Sequence, residues 1–237
     1  MALQSNGPIS LSDISNLARG NTNQQINLSD WDVRYLAGKE KGTIKLSDAY
    51  SKPAPGSRTY STPGTYTFLV PPFVTLTVDV IGGSGGGGGG SDHFPYLYCW
   101  GGGPGTSGGT SRFGSTVPVV GPGGAGASQG GCYGYGVGDL DAADSVGTGG
   151  DTNTTGHTGG SRGHGSGPGG VYSDGGQGGD SGRAIKEWTH LITDNTPVWK
   201  SNVTVTVGSA GVGGYRGSQW CTNGGNGTAG SVTIEWE

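Results

Sequence analysis

The sequence predicts a mainly β chain: a small N-terminal module of short helices and extended segments, then a β scaffold with an inserted glycine-rich region of packed polyglycine-II helices and loops. Three observations predict it. Apolar and polar residues alternate on both sides of a long glycine-rich region, glycines within that region recur at intervals of three, and the first 52 residues carry a repeat that the rest lacks. The expected organisation is therefore an N-terminal module over 1–52, a linker over 53–64 and a glycine-rich domain over 65–237.

The repeat reads Ile9-Ser-Leu11-Ser12-Asp13, Ile26-Asn-Leu28-Ser29-Asp30 and Ile44-Lys-Leu46-Ser47-Asp48. In each copy two alternating apolar residues precede Ser-Asp, the residue types that satisfy free N–H groups where a helix starts. Each copy is too short to bury its apolar face alone, so the module should pack on its own repeats, on the next domain or on another chain. It is read either as a structural cap or as a docking module, with Leu11, Asp13, Leu28, Asp30, Trp31, Leu46 and Asp48 as the docking candidates. The Pro-rich stretch 53–64 reads as a linker. Tyr66, Phe68 and Val70, then Val74, Leu76, Val78 and Val80, alternate with polar residues at the strand period of two. Val203, Val205 and Val207, and finally Val232, Ile234 and Trp236, do the same. Strands at both ends imply a scaffold closed by pairing the beginning of the domain with its end.

The intervening region holds most of the chain's 55 glycines. Fixing a backbone residue costs roughly 1–2 kcal/mol, and glycine offers no side chain to bury in return. Order must then come from the backbone. Gly156 and Gly159, Gly160 and Gly163, and Gly176, Gly179 and Gly182 are each spaced by three. Three residues per turn is the period of an extended polyglycine helix, whose glycine face lets neighbours approach until their backbones bond. Collagen is excluded because glycine stays below one residue in three and no strict G-X-Y run persists.

Composition narrows the chemistry. Only 30% of residues are hydrophobic and the net charge is -4, which argues against a phosphate-reading surface and hence against nucleic acid as partner. No apolar run approaches the ~20 residues of a membrane span, and the first residues lack the pattern of a secretory signal. Cys99, Cys132 and Cys221 are widely spaced, with no C-x-x-C, so neither a disulfide framework nor a metal site is readable and no cofactor is expected. Gly83-x-Gly85-x-x-Gly88 matches a dinucleotide-binding pattern literally, but six consecutive glycines make the match arithmetic, and no helix start follows to receive a pyrophosphate. His93, His157, His164 and His190 show no spacing to a nucleophile or acid, so catalysis is not expected. What stands out is Phe94, Tyr96, Tyr98 and Trp100, at every second position beside His93 and bounded by glycine. Such aromatics offer large contact area with few torsions and recur at binding surfaces. Tyr133 and Tyr135, and Trp188 and Trp199, lie in two further inserts, and Tyr215 and Trp220 cluster near Cys221. For Trp188 and Trp199, filling gaps between array and scaffold is as good a reading as binding.

Together these features resemble the glycine-rich tail-fibre and tail-tip receptor-binding proteins (adhesins) of tailed bacteriophages. The stretch from Gly64 to Pro71, then from Val74 into the first glycine run, is similar to the opening of their glycine-rich domains. Thr204 to Gly208 and Gly230 to Trp236 are similar to its close. The resemblance implies a virion protein, made in the host cytoplasm, whose outward loops bind a bacterial surface receptor, an outer-membrane protein or a polysaccharide. Those loops would be His93 to Trp100, Tyr133 to Asp144 and the stretch from Trp188 to Trp199. The N-terminal module would attach to other tail proteins, and a homotrimer is plausible because fibres are usually symmetric. The rival is a purely structural capsid or tail decoration. Ice binding is a weaker rival, because threonines cluster only at 152–158, and a depolymerase should show paired carboxylates in a groove.

Overall fold

The computed structural model describes residues 9–19, 25–30, 33–34, 37, 42–49, 55–71, 73, 75–94, 98–131, 140–166, 171–189, 197 and 201–237. The N-terminal module contains helix α1 (Leu11–Arg19) and a one-turn 3-10 helix (Leu46–Ala49). All three repeats use their aspartate alike. The carboxylates of Asp13, Asp30 and Asp48 accept the backbone N–H of Ser10, Asn27 and Lys45, each three residues earlier, at 2.8–2.9 Å. In the first copy the Ser10 hydroxyl also accepts the Asp13 N–H at 3.1 Å, completing a reciprocal cap.

Beyond the module the chain is β. Strands β1 (Gly56–Tyr60), β12 (Ser231–Trp236), β3 (Thr75–Ile81), β10 (Gly182–Thr189) and β8 (Thr152–Thr155) form one sheet in that order. Strands β2 (Gly64–Leu69), β11 (Asn202–Val207), β6 (Ser111–Phe113) and β7 (Val119–Gly121) form a second. All pairs are antiparallel, and β3 with β12 and β2 with β11 join the two ends of the domain as the alternation requires. Leu76, Val78 and Val80 of β3 meet Val232 and Ile234 of β12 and Ala184 and Trp188 of β10 in a core shared with Phe68, Phe113, Val205 and Val207 of the other sheet. Tilted ring contacts run from Trp236 through Phe68 and Phe113 to Trp188, with centroids 5.9–6.3 Å apart.

Two expectations need correction. The stretch 53–64 is not merely a linker, because β1 lies within it and pairs with β12 along its whole length. Its prolines lie outside the strand, while Thr59 and Tyr60 are good strand residues. The first residues of the insert that carries Trp188 and Trp199, 185–189, likewise belong to strand β10, whose Ala184 and Trp188 side chains the sandwich buries.

The sandwich strands run on into the glycine region. Segment 82–90, continuing β3, donates all nine of its backbone N–H groups to three other segments in rotation. Residues 82, 85 and 88 donate to carbonyls 182, 179 and 176; residues 83, 86 and 89 to 109, 106 and 103; residues 84, 87 and 90 to 228, 225 and 222, all at 2.9–3.1 Å. Its carbonyls 83–90 accept from three more segments, at 124, 127 and 130, at 160 and 163, and at 211, 214 and 217. The six surrounding segments also bond to one another in a closed ring, in the order 102–109, 122–130, 174–182, 156–165, 222–230 and 208–217. Neighbours in that ring run in opposite directions. Every bond repeats at the third residue, and none closes within a segment.

Such proximity excludes side chains. A Cβ at Gly85 or Gly88 would lie 1.8 Å from the carbonyl oxygen of Ala125 or Ser128, and the other glycines of 82–90 would meet backbone at 2.0–2.3 Å. Ser84 alone has a side chain here, and its hydroxyl accepts the Thr228 N–H at 2.8 Å. Buried serines fasten the array ends: Ser111 accepts from Gly208 N–H, Ser181 from His157 N–H, and Ser91 donates to the Gly131 carbonyl.

Gly85→Ala and Gly88→Ala are therefore expected to destabilise the domain by more than about 3 kcal/mol, because backbone rather than a flexible side chain must yield. Ser84→Ala, which removes the acceptor of the part-buried Thr228 N–H, should cost about 1 kcal/mol. Urea unfolding of the three variants checks the order.

Candidate functional site

The array ends opposite the sandwich in a third sheet of three strands, β5 (Tyr98–Trp100), β4 (Ser91–Phe94) and β9 (Val171–Ser173), in that order. Segment 82–90 runs into β4, β5 leads into 102–109, and β9 leads into 174–182. The turn 217–221 lies at the same end, since Gly217 donates to the Gly90 carbonyl and the Thr222 carbonyl accepts from Gly90. This end is the tip.

The aromatic run folds back on itself as a hairpin, in which Phe94 pairs with Tyr98 and Asp92 with Trp100. Trp100 is 58% exposed. Tyr96 lies outside the described residues, as do Tyr133, Tyr135 and Trp199. Gly131 and Leu140, which flank the second insert, are both at the tip: the Gly131 carbonyl accepts from Ser91, and the Leu140 carbonyl lies against Gly176. Residues 140–147 do not loop outward as expected but run beside 174–182. Ala142 and Ser145 donate to the carbonyls of Gln177 and Asp180, and the Asp141 and Asp144 carboxylates accept the N–H groups of the same two residues. Trp188 does not belong to the site. It is 4% exposed in the sandwich core against Phe113, at the other end of the domain, because its register opposite Leu76 turns it inward.

Three exposed aromatics were not among the expected binding residues: Tyr172 at 57%, Tyr215 at 69% and Trp220 at 56%. Tyr215 lays its ring against Gly103, where a Cβ would come within 2.4 Å of it. Tyr172 is a lone aromatic among glycines, and only its pairing with Asp92 makes it part of the tip. Sequence spacing carries no trace of that contact.

Asp92 is 7% exposed, between Trp100 and Tyr172 in the sheet. Its Oδ2 accepts from the Ser218 hydroxyl at 3.1 Å, while its Oδ1 is buried without a partner among the described residues. An unsatisfied buried acceptor costs about 1–3 kcal/mol, more when charged. The Ser218 hydroxyl oxygen in turn accepts the Trp220 N–H at 3.2 Å and lies 3.5 Å from the buried Cys221 Sγ. Among the described residues no group of three His, Cys, Asp or Glu side chains could hold a metal ion.

Two open pockets lie on the sandwich instead. One of about 220 Å³ is bordered by Phe113, Trp188, Pro197 and Val203. The other, about 520 Å³, lies on the outer face of the first sheet and includes Glu187, Glu235 and Glu237. Glu187 and Glu235 both stand opposite Thr77, so their strands are two spacings, roughly 10 Å, apart.

Of the docking candidates, Leu11 and Leu46 are 47% and 41% exposed, Leu28 is half-buried, and Asp13, Asp30 and Asp48 are the capping residues described above. Trp31 lies outside the described residues. No helix is long and apolar enough to cross a membrane among the described residues. No family model, curated protein or solved structure matches the chain.

The Ser10 hydroxyl, and after it the Ser10 N–H, hold the Asp13 carboxylate below its ordinary value of 3.8. A carboxylate with a depressed folded pKa stabilises above its unfolded value, and that contribution is lost as pH falls through the folded one. The backbone NMR shifts of residues 11–15 should accordingly stay constant as pH falls from neutral into the ordinary carboxylate range and move toward coil values only below it. Asp13→Asn should remove that dependence.

Proposed function

We propose that this chain is a tail-fibre or tail-tip protein of a tailed bacteriophage, a virion component that binds a bacterial surface receptor through the tip of its glycine array. The observation that carries the reading is the segregation of aromatics. Among the described side chains, the sandwich buries or half-buries all of its aromatics, whereas Trp100, Tyr172, Tyr215 and Trp220 stand exposed at the opposite end. Aromatic side chains dominate contact energetics, and placing them on a fixed support lowers the ordering cost of binding.

In this reading the glycine segments are polyglycine-II helices. With a rise of ~3.1 Å per residue, the nine residues 82–90 hold the tip about 28 Å from the sandwich. The N-terminal module attaches the chain to other tail proteins, and a homotrimer suits a symmetric fibre. No catalytic step is needed. The closed ring of main-chain bonds supports the reading, since it fixes the tip without a conventional core beneath it.

Adsorption of the purified full chain to cells of the host bacterium tests the proposal. Replacing Trp100, Tyr215 and Trp220 together by Ala should reduce adsorption by at least about tenfold, equivalent to ~1.4 kcal/mol, with the melting temperature little changed. Adsorption unaffected by the triple substitution would instead favour a structural decoration.

A further inference from the structure

Resting on the reading of the tip as a receptor-binding surface, we infer that its ligand is a neutral, hexose-based glycan, stacked on Trp100 and Tyr172 with Trp220 beside them. Register sets the first two rings. Asp92 pairs directly with Trp100 on one side and with Tyr172 on the other, and residues directly opposite in an antiparallel sheet share a face. The three side chains therefore form one row: an exposed ring at each end and a buried carboxylate in the middle. The rings are two strand spacings apart, roughly 10 Å, close to the length of two linked pyranoses.

The same carboxylate secures the third ring. Ser218 donates its hydroxyl proton to Asp92 Oδ2 and accepts the Trp220 N–H, so the turn carrying Trp220 is tied to the middle of the row. A Cβ at Gly217, which begins that turn, would lie 1.9 Å from the Trp100 carbonyl oxygen, so the turn is also held against β5. Asp92 is thus a positioning residue: its main chain aligns Trp100 with Tyr172, and its buried carboxylate holds the turn that carries Trp220. Among the described residues its Oδ1 finds no partner, so keeping this carboxylate buried costs stability.

Separated flat rings with a gap between them suit the C–H faces of a sugar chain better than a protein knob, which needs a continuous apolar pocket. The side chains beside Trp220 are polar and exposed: Gln219 offers its amide to sugar hydroxyls, and Asn223, whose Oδ1 accepts the Arg216 N–H at 2.8 Å, offers its amide NH2. The only acidic group in the row is buried, and the chain's net charge of -4 disfavours an acidic polysaccharide.

The full-length protein is passed over an array of immobilised neutral oligosaccharides of glucose, mannose and galactose. At least one class should be retained, and Trp100→Ala and Tyr172→Ala should each weaken retention about tenfold or more. Asp92→Ala removes no ring, yet should weaken retention about tenfold. Asp92→Asn keeps an acceptor for Ser218 and should weaken it less than about threefold, which separates ring positioning from simple loss of charge. Retention of no oligosaccharide, or retention indifferent to Trp100→Ala and Tyr172→Ala, overturns the inference. If host cells are still bound while the array is not, the glycan assignment fails and the receptor-binding reading survives; if neither is bound, both fail.

Discussion

Everything beyond the sandwich depends on nine consecutive residues, 82–90, whose peptide groups bond to six other stretches of the chain. In an ordinary domain the interior is held by apolar side chains and the backbone bonds are spent within helices and sheets. Here the interior of the array has almost no side chains. Each buried donor of the central segment is satisfied by a different neighbour in rotation, and the separation of segments is set by the size of a peptide group. That arrangement meets the requirement that buried N–H and C=O groups be paired while burying little hydrophobic surface.

An array of this kind has no cooperative core of its own, so its ends must be held. At one end the strands of the sandwich do this, since β3, β6, β7, β8, β10, β11 and β12 each lead into or out of a segment. Buried serines complete the junctions. At the other end the three-stranded sheet and the turn at 217–221 close it, with the Asp92–Ser218 contact joining the two. The price of this closure is one buried carboxylate oxygen left without a partner. The tip can carry exposed rings because it is built on main-chain bonds rather than on those rings.

The fold class was legible because the strand period is written directly in the chain. The period of two in Leu76 to Val80, Val203 to Val207 and Val232 to Trp236 marks strands, and the pairing of first with last follows from the insertion between them. The repeated Ser-Asp likewise marks three local caps, whose geometry involves only residues three apart. Strand β1 was hidden by its flanking prolines, and β10 by sitting between two inserts with glycine on one side. The tip was half legible. Trp100 announced itself in a run of aromatics, but alternation does not mark the hairpin that folds that run back, and the contacts that bring Tyr172, Trp220 and Ser218 to Asp92 join residues about 80 to 130 positions apart, which spacing alone does not encode. For Trp188 the sequence left gap filling and binding equally open, because it lies beside a glycine region, whereas register places it in the sandwich core.

The central claim is that glycine amides provide the rigidity. Native-state hydrogen exchange resolved at single amides tests it most directly. The account predicts that the N–H groups of Gly85 to Gly89 exchange as slowly as those of Val78 and Val80 in β3, opening only when the whole domain unfolds. Exchange of these glycine amides at the rate of an unstructured peptide, while the β3 amides stay protected, would contradict it.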